Sequence, residues 1–166
     1  MWFSSFFFGI DESPKRPKVL AINEAGRDLI RVSEGYSAVP YLCSSNVATI
    51  AIGATIDENG YPVTLDHPRI NPYLAEMLFS RDLLIFSNSV KALCKVPLNA
   101  NQFSALCSLC YNIGAGNFRA STLLRKLNRG DYEGASGEFW KWRRSRGRIM
   151  RGLVTRREKE RRLFVS

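Results

Sequence analysis

Apolar positions along the chain recur with two periods, and the changes of period mark out its elements. Ile22, Ala25, Leu29 and Ile30, with Val32 and Ser33 flanking, fall at helical spacing and stop at Glu34-Gly35, where the glycine breaks the run. This spacing predicts a helix that ends at Glu34. Val39 to Leu42 and Val47 to Ile52 are short apolar, partly β-branched runs separated by Cys43-Ser44-Ser45-Asn46, and Glu58-Asn59-Gly60-Tyr61 adds a turn signal. A small antiparallel sheet follows. Residues 71 to 94 carry a long amphipathic pattern through Leu74, Met77, Leu78, Leu84, Ile85 and Val90, opened by the cap and first-turn pair Asn71-Pro72. Beyond Val96-Pro97-Leu98 only helical patterns remain, at Asn99 to Asn112, Ser121 to Leu127, Asp131 to Trp142 and Val154 to Leu163, punctuated by Gly114, Gly116 and Gly130.

The expected fold class is therefore α+β, with a small β-hairpin lobe and a mainly helical lobe joined by a long helix and a cleft between them. Residues 1–18 read as an apolar tail and a polar, proline-bearing linker, and residues 19–166 as one domain with lobes at about 19–80 and 95–166. The stretch Trp2-Phe3-Ser4-Ser5-Phe6-Phe7-Phe8-Gly9-Ile10 is apolar but meets Asp11 and Glu12 at once. It is shorter than the roughly 20 apolar residues of a bilayer crossing. It also lacks the positive flank and cleavage site of a secretory signal.

Composition narrows the partners. A chain of 166 residues with 45% hydrophobic positions can bury a core as one unit, and a net charge of +9 favours polyanions: nucleic acid, acidic membrane surface or anionic wall polymer. The four cysteines, Cys43, Cys94, Cys107 and Cys110, have only His67 as a companion, so neither a metal site nor a cofactor is expected. Cys107 and Cys110 read C-x-x-C, yet they lie in an apolar helical run and are expected to be buried thiols.

Chemistry concentrates near Glu34. The end of a helix presents negative partial charge, which disfavours an ionised carboxylate, and Val39, Ile50 and Ile52 offer apolar surroundings. Such a carboxyl suits a proton donor in glycoside hydrolysis, although a surface carboxylate at a helix end fits the same position. From Gly35 through Ile56 there is no Asp or Glu; Tyr41, Cys43, Ser44, Ser45 and Thr49 provide hydrogen-bonding groups instead.

Ser33-Glu34-Gly35, Pro40-Tyr41, Cys43, Thr49-Ile50-Ala51-Ile52-Gly53 and Thr55 resemble the catalytic segment of phage-type lysozymes (endolysins), glycoside hydrolase family 24. Eight residues separate Glu34 from Cys43 and five separate Cys43 from Thr49, as in that family, where Asp or Cys holds the middle position. Asn101-Gln102-Phe103-Ser104-Ala105-Leu106, Tyr111-Asn112-Ile113-Gly114, the stretch from Phe118 to Asn128 and Gly152-Leu153-Val154-Thr155-Arg156-Arg157 are similar in the same order, so the resemblance covers about residues 20 to 164. It implies a lysozyme-like fold and hydrolysis of the β-1,4 bond between N-acetylmuramic acid and N-acetylglucosamine in bacterial peptidoglycan, for host-cell lysis. Glu34, Cys43 and Thr49 would be the catalytic residues, Glu34 as acid. Tyr41, Asn112 and Arg156 would bind substrate, with Arg156 or Arg157 pairing with Glu34. The resemblance further implies a monomer made in the bacterial host cytoplasm that reaches the wall in the periplasm by holin-type or signal-anchor-assisted release.

Two departures stand out. Ala51 and Ala54 occupy positions where that family often has Gly and His, and Cys43 replaces a carboxylate. A thiol here has three roles open to it: base, nucleophile, or neutral partner that positions water. A neighbouring carboxylate disfavours a second negative charge, which favours the last.

Lys141, Arg143, Arg144, Arg146, Arg148, Arg151, Arg156, Arg157, Lys159, Arg161 and Arg162 crowd the end of the chain against Glu158 and Glu160. They read either as a solvated helical face or as attraction to anionic envelope polymers. Trp140 and Trp142 cannot share a helical face, so one is assigned to the core and one to sugar stacking. Three alternatives remain open: a transglycosylase using Glu34 alone, a cell-wall cysteine peptidase or amidase using Cys43 with His67, and a basic nucleic-acid module. The last has no binding motif to support it, so no nucleic-acid partner is expected.

Overall fold

The computed structural model describes residues 20–43 and 46–166. The tail and linker assigned to 1–18, and Ser44 and Ser45, lie outside the described residues.

Helix α1, Glu24–Glu34, starts where the Asn23 side chain accepts from the Gly26 amide, and ends at Gly35, whose φ of +74° is open to glycine at no steric cost. Its start is pinned to the helical lobe: the Asn23 amide donates to Ser104 Oγ at 2.9 Å and Asn23 Nδ2 to Asn101 Oδ1 at 2.7 Å. Strands β1, Ser37–Leu42, and β2, Ala48–Ala51, pair antiparallel, with Tyr41 opposite Thr49 and Leu42 opposite Ala48. The register slips between Ser37 and Tyr41, where Pro40 has no amide proton to give. Ala51 sits at φ +57°, so this chain keeps a left-handed turn where the resembling family often has glycine.

Helix α2, Pro72–Leu93, begins with Asn71 Oδ1 accepting from the Leu74 amide at 2.8 Å. Its 22 residues, about 33 Å of helix, thread three apolar clusters in succession. Ala75 and Leu78 join Ile50, Ala51, Ala54, Val63 and Ile70 under the hairpin. Phe79 and Leu83 pack with Ile30 and Ile52 in the middle. Val90 enters the large core with Phe103, Leu106, Leu109, Phe118 and Phe139.

Helix α3, Ala100–Ile113, is buried continuously from Phe103 to Cys110, as its all-round apolar sequence requires. Around it lie α4, Ala115–Ala120; α5, Thr122–Leu127; α6, Tyr132–Glu138; and α7, Arg151–Val165. Asn99, Ser121 and Asp131 cap α3, α5 and α6. Three short elements escape the periodicity. Helix α4 is too short to show a period, and β3, Arg144–Ser145, turns tightly into β4, Arg148–Ile149, inside the basic run. Cys107 and Cys110 are buried, and burial pushes the Cys110 thiol up to about 12.

Candidate active site

The end of α1 carries Glu34 to the rim of a cleft of about 810 Å³, lined by Asn112, Trp142, Arg144, Arg156 and Lys159 among others. Glu34 keeps 22% of its side chain exposed. Arg156 Nη1 donates to Glu34 Oε1 at 2.6 Å. Val39 is largely exposed, while Ile50 and Ile52 pack into core clusters. Sequence reading expected apolar side chains around this carboxyl; what the structure sets against it is a guanidinium brought from α7. Gly53, at φ +84°, lies so close that a Cβ there would be 3.4 Å from Glu34 Oε2.

The hairpin brings the other expected residues to one neighbourhood. Tyr41 faces Thr49 across the strands, and burial, with the charge of Glu34 and of Cys43 adding, holds the Tyr41 phenol above its ordinary range. Thr49 is buried, and its hydroxyl donates to the Val47 carbonyl at 3.0 Å, which leaves oxygen lone pairs as its remaining capacity. Cys43 follows β1, its amide donating to Val47 O at 3.0 Å and its carbonyl accepting from the Asn46 amide at 2.8 Å.

From α3, Tyr111 donates its hydroxyl to the Ile52 carbonyl at 2.7 Å, tying the helical lobe to the hairpin beside the cleft. Burial first, then Asp82 and Glu34, keep that phenol protonated. Asn112 lies on the cleft wall with Oδ1 accepting from Arg157 Nη2 at 3.0 Å. Of the two arginines considered for Glu34, Arg156 makes the pair and Arg157 turns to Asn112 and Glu160.

The charges of α7 are not all a solvated face. Arg156, Arg157 and Glu160 are buried, because each is matched by an opposite charge: Arg156 Nε and Arg157 Nη2 reach Glu160 Oε1 at 3.1 and 3.0 Å. Burial lowers the Arg157 guanidinium to about 10 and pushes the Glu160 carboxyl up, against the pull of Arg157, Arg156 and Ser108. Sequence reading missed Glu160 and Ser108. The available signal was the three- and four-residue spacing from Arg157 and Arg156 to Glu160. Trp142 lines the cleft and also packs against the main core.

Asp57, Glu58 and His67 bring ligand-type atoms within 4.8 Å of one another. Their contacts are those of a loop lock: Asp57 Oδ1 accepts from the Asn59 and Tyr61 amides, while His67 turns Nε2 to Glu58 at 3.4 Å and Nδ1 to Pro68 O.

The sequence model of the phage lysozyme family matches residues 31–160. The chain belongs to the phage lysozyme family.

Among relatives, this phage-type lysozyme is 39% identical to the endolysin of Acyrthosiphon pisum secondary endosymbiont phage 1, over 87% of this chain and 98% of that one. It is 37% identical to the SAR-endolysin of Enterobacteria phage P21, over 89% and 84%. The endolysin of Bacillus phage B103 is also 39% identical over 87% of this chain, which spans 54% of that longer protein. The fold matches the crystal structure of a P22 lysozyme variant with a TM-score of 0.75 at 33% identity, over 88% of this chain and 99% of that one. It also matches the muramidase domain of SpmX from Asticaccaulis excentricus, with a TM-score of 0.72 at 30% identity, over 87% and 97%.

This lysozyme is thus a peptidoglycan-degrading glycoside hydrolase of the N-acetylmuramidase type with a lysozyme-like α+β fold. The peptidase, transglycosylase and nucleic-acid readings find no favour among these relatives.

Proposed function

We propose that Glu34 is the general acid that protonates the leaving oxygen of the β-1,4 bond, and that Cys43 and Thr49 hold the attacking water on the hairpin side. The carrying observation is the contact between Arg156 Nη1 and Glu34 Oε1, which holds one carboxyl oxygen at the cleft rim in a single orientation. Thr49 spends its proton on Val47 O, so it can only accept from a water, and acceptance orients that water for attack. Cys43 acts as a neutral thiol at the same water, the state in which it both donates weakly through S–H and accepts weakly through sulfur. Asn112 and Trp142 line the cleft that takes the glycan, with the indole offering a stacking face, and Tyr41 contacts the glycan from the hairpin. Positioned proton transfer contributes on the order of 10²–10⁴-fold to rate.

Native protein, Glu34→Gln and Cys43→Ser are compared on purified peptidoglycan, with product masses recorded. Glu34→Gln is expected to abolish release of reducing ends and Cys43→Ser to retain part of it. Full activity of Glu34→Gln removes the acid assignment. Products lighter than the hydrolysis product by one water replace hydrolysis with transglycosylation.

We also propose that the enzyme acts as a monomer in the periplasm after signal-anchor-assisted release, a reading supported by its likeness to the SAR-endolysin of phage P21. The exposed arginines 144, 146, 148 and 151 add attraction to anionic envelope polymers.

A further inference from the structure

Three of the four buried residues of α7 are charged, and a helix on the outside of a domain would ordinarily turn such residues to water. Glu160 is fully buried and so has no surface for substrate. Its Oε1 accepts from Ser108 Oγ at 2.7 Å, from Arg156 Nε at 3.1 Å and from Arg157 Nη2 at 3.0 Å; its Oε2 lies 3.0 Å from Arg157 Nε. Every group on Oε1 is a donor, so Glu160 serves as the common acceptor of Ser108, Arg156 and Arg157.

A guanidinium is planar and rigid, so three contacts fix its position and its plane. Arg156 has three: Nε on Glu160, Nη2 on the Ser108 carbonyl at 3.1 Å, and Nη1 on Glu34. Two of them come from groups out of reach of the cleft. The third is the acid.

We infer that Glu160 is a positioning residue for the glycosidase reaction, acting on Glu34 through Arg156. The inference rests on the reading of Glu34 as the general acid. Glu160 sets the plane of the Arg156 guanidinium, and that plane sets where the Glu34 carboxyl points. Arg157 is the second guanidinium on Glu160, so two guanidinium groups stand against two carboxyl groups in the set Glu34, Arg156, Glu160 and Arg157. The charge of Arg156 is thereby shared between an acid that reacts and one that does not. The other groups facing Glu34 are Arg157 from α7, Tyr41 from the hairpin and Tyr111 from α3; Glu160 itself is faced by Ser108 from α3 and the two arginines.

The test measures kcat and KM on peptidoglycan across pH, together with thermal melts, for Ser108→Ala, Glu160→Gln, the pair Arg157→Met with Glu160→Leu, and Glu34→Gln. Glu160→Gln is expected to lower kcat by roughly 10- to 100-fold with little change in KM, the loss that follows from misplacing a reacting group by about an ångström. It should also move the alkaline limb of the pH profile to lower pH, because the charge of Arg156 then falls on Glu34 alone. Ser108→Ala keeps both guanidinium groups and both carboxyl groups and should show a smaller loss of kcat in the same direction.

Because Glu160→Gln leaves Arg157 unmatched and can unfold the protein, the apolar pair gives a folded comparison, since buried ion pairs tolerate replacement by well-packed apolar residues. The pair variant should melt cooperatively and still lose kcat. A folded pair variant with native kcat and pH profile overturns the inference, as does a loss that only tracks the folded fraction. An inactive Glu34→Gln beside a fully active pair variant removes Glu160 alone; an active Glu34→Gln removes the acid assignment itself.

Discussion

Arg156 and Glu34, 122 positions apart, meet at 2.6 Å and join the last helix to the first at the rim of the cleft. Because Arg156 also bonds Glu160 and the Ser108 carbonyl, lysine cannot stand in for it: an ammonium lacks the planar fork that reaches all three. Arg156→Lys is expected to lose most of kcat, and Arg156→Ala to destabilise the fold by about 3–5 kcal/mol as well, since it strips a partner from the buried Glu160. Lysis assays and thermal melts on the two variants check this; a Lys variant with native kcat would contradict it.

Gly53 tests how tightly the carboxyl is held. At φ +84° an alanine is strained by about 1–2 kcal/mol, and its methyl would sit in van der Waals contact with Glu34 Oε2, so the strained backbone is relieved against the carboxyl. Gly60, at φ +87° with nothing within 4 Å of its missing Cβ, provides the control. Both alanine variants should melt lower, while only Gly53→Ala should lose activity, by roughly tenfold. Equal activity in the two would mean that Gly53 does not shape the site.

Tyr111→Phe removes the hydroxyl that bonds Ile52 across the lobes and keeps the ring against Phe79 and Phe86. One hydrogen bond is worth about 1 kcal/mol, so Tm should fall by about 2–4 °C. An unchanged Tm would show that water replaces the bond without loss.

Glu138 gives a pH prediction away from the site. Lys126 at 2.8 Å and Lys141 at 2.6 Å hold its carboxyl below the usual carboxylate range. A folded value below the unfolded one, about 4.3, means that the stabilisation is complete above that pH and is lost as pH falls through the folded value. Glu138→Gln should therefore melt below the native protein at pH 7, and the gap should close as pH is lowered past 4 toward 3. A gap independent of pH would assign the effect to packing.

Much of this protein was legible in order along the chain. Asn71, Asn99, Ser121 and Asp131 cap helices by bonds to their own next turn, and the apolar periods of α1, α2 and α3 are likewise local. The spacing of Glu34, Cys43 and Thr49 was equally readable, because the helix end and the hairpin that carries them are neighbours in sequence.

Tertiary structure alone decided which of the basic residues of α7 turn inward. The resemblance set Arg156 or Arg157 against Glu34, but Glu160 looks in sequence like any other charge of a polar helix, and burial of the three is tolerable only because Glu34, Ser108 and Asn112, brought from α1 and α3, supply their partners. A charge goes inside when a counter-charge waits there, and that condition is set by packing between distant segments rather than by the order of residues along one.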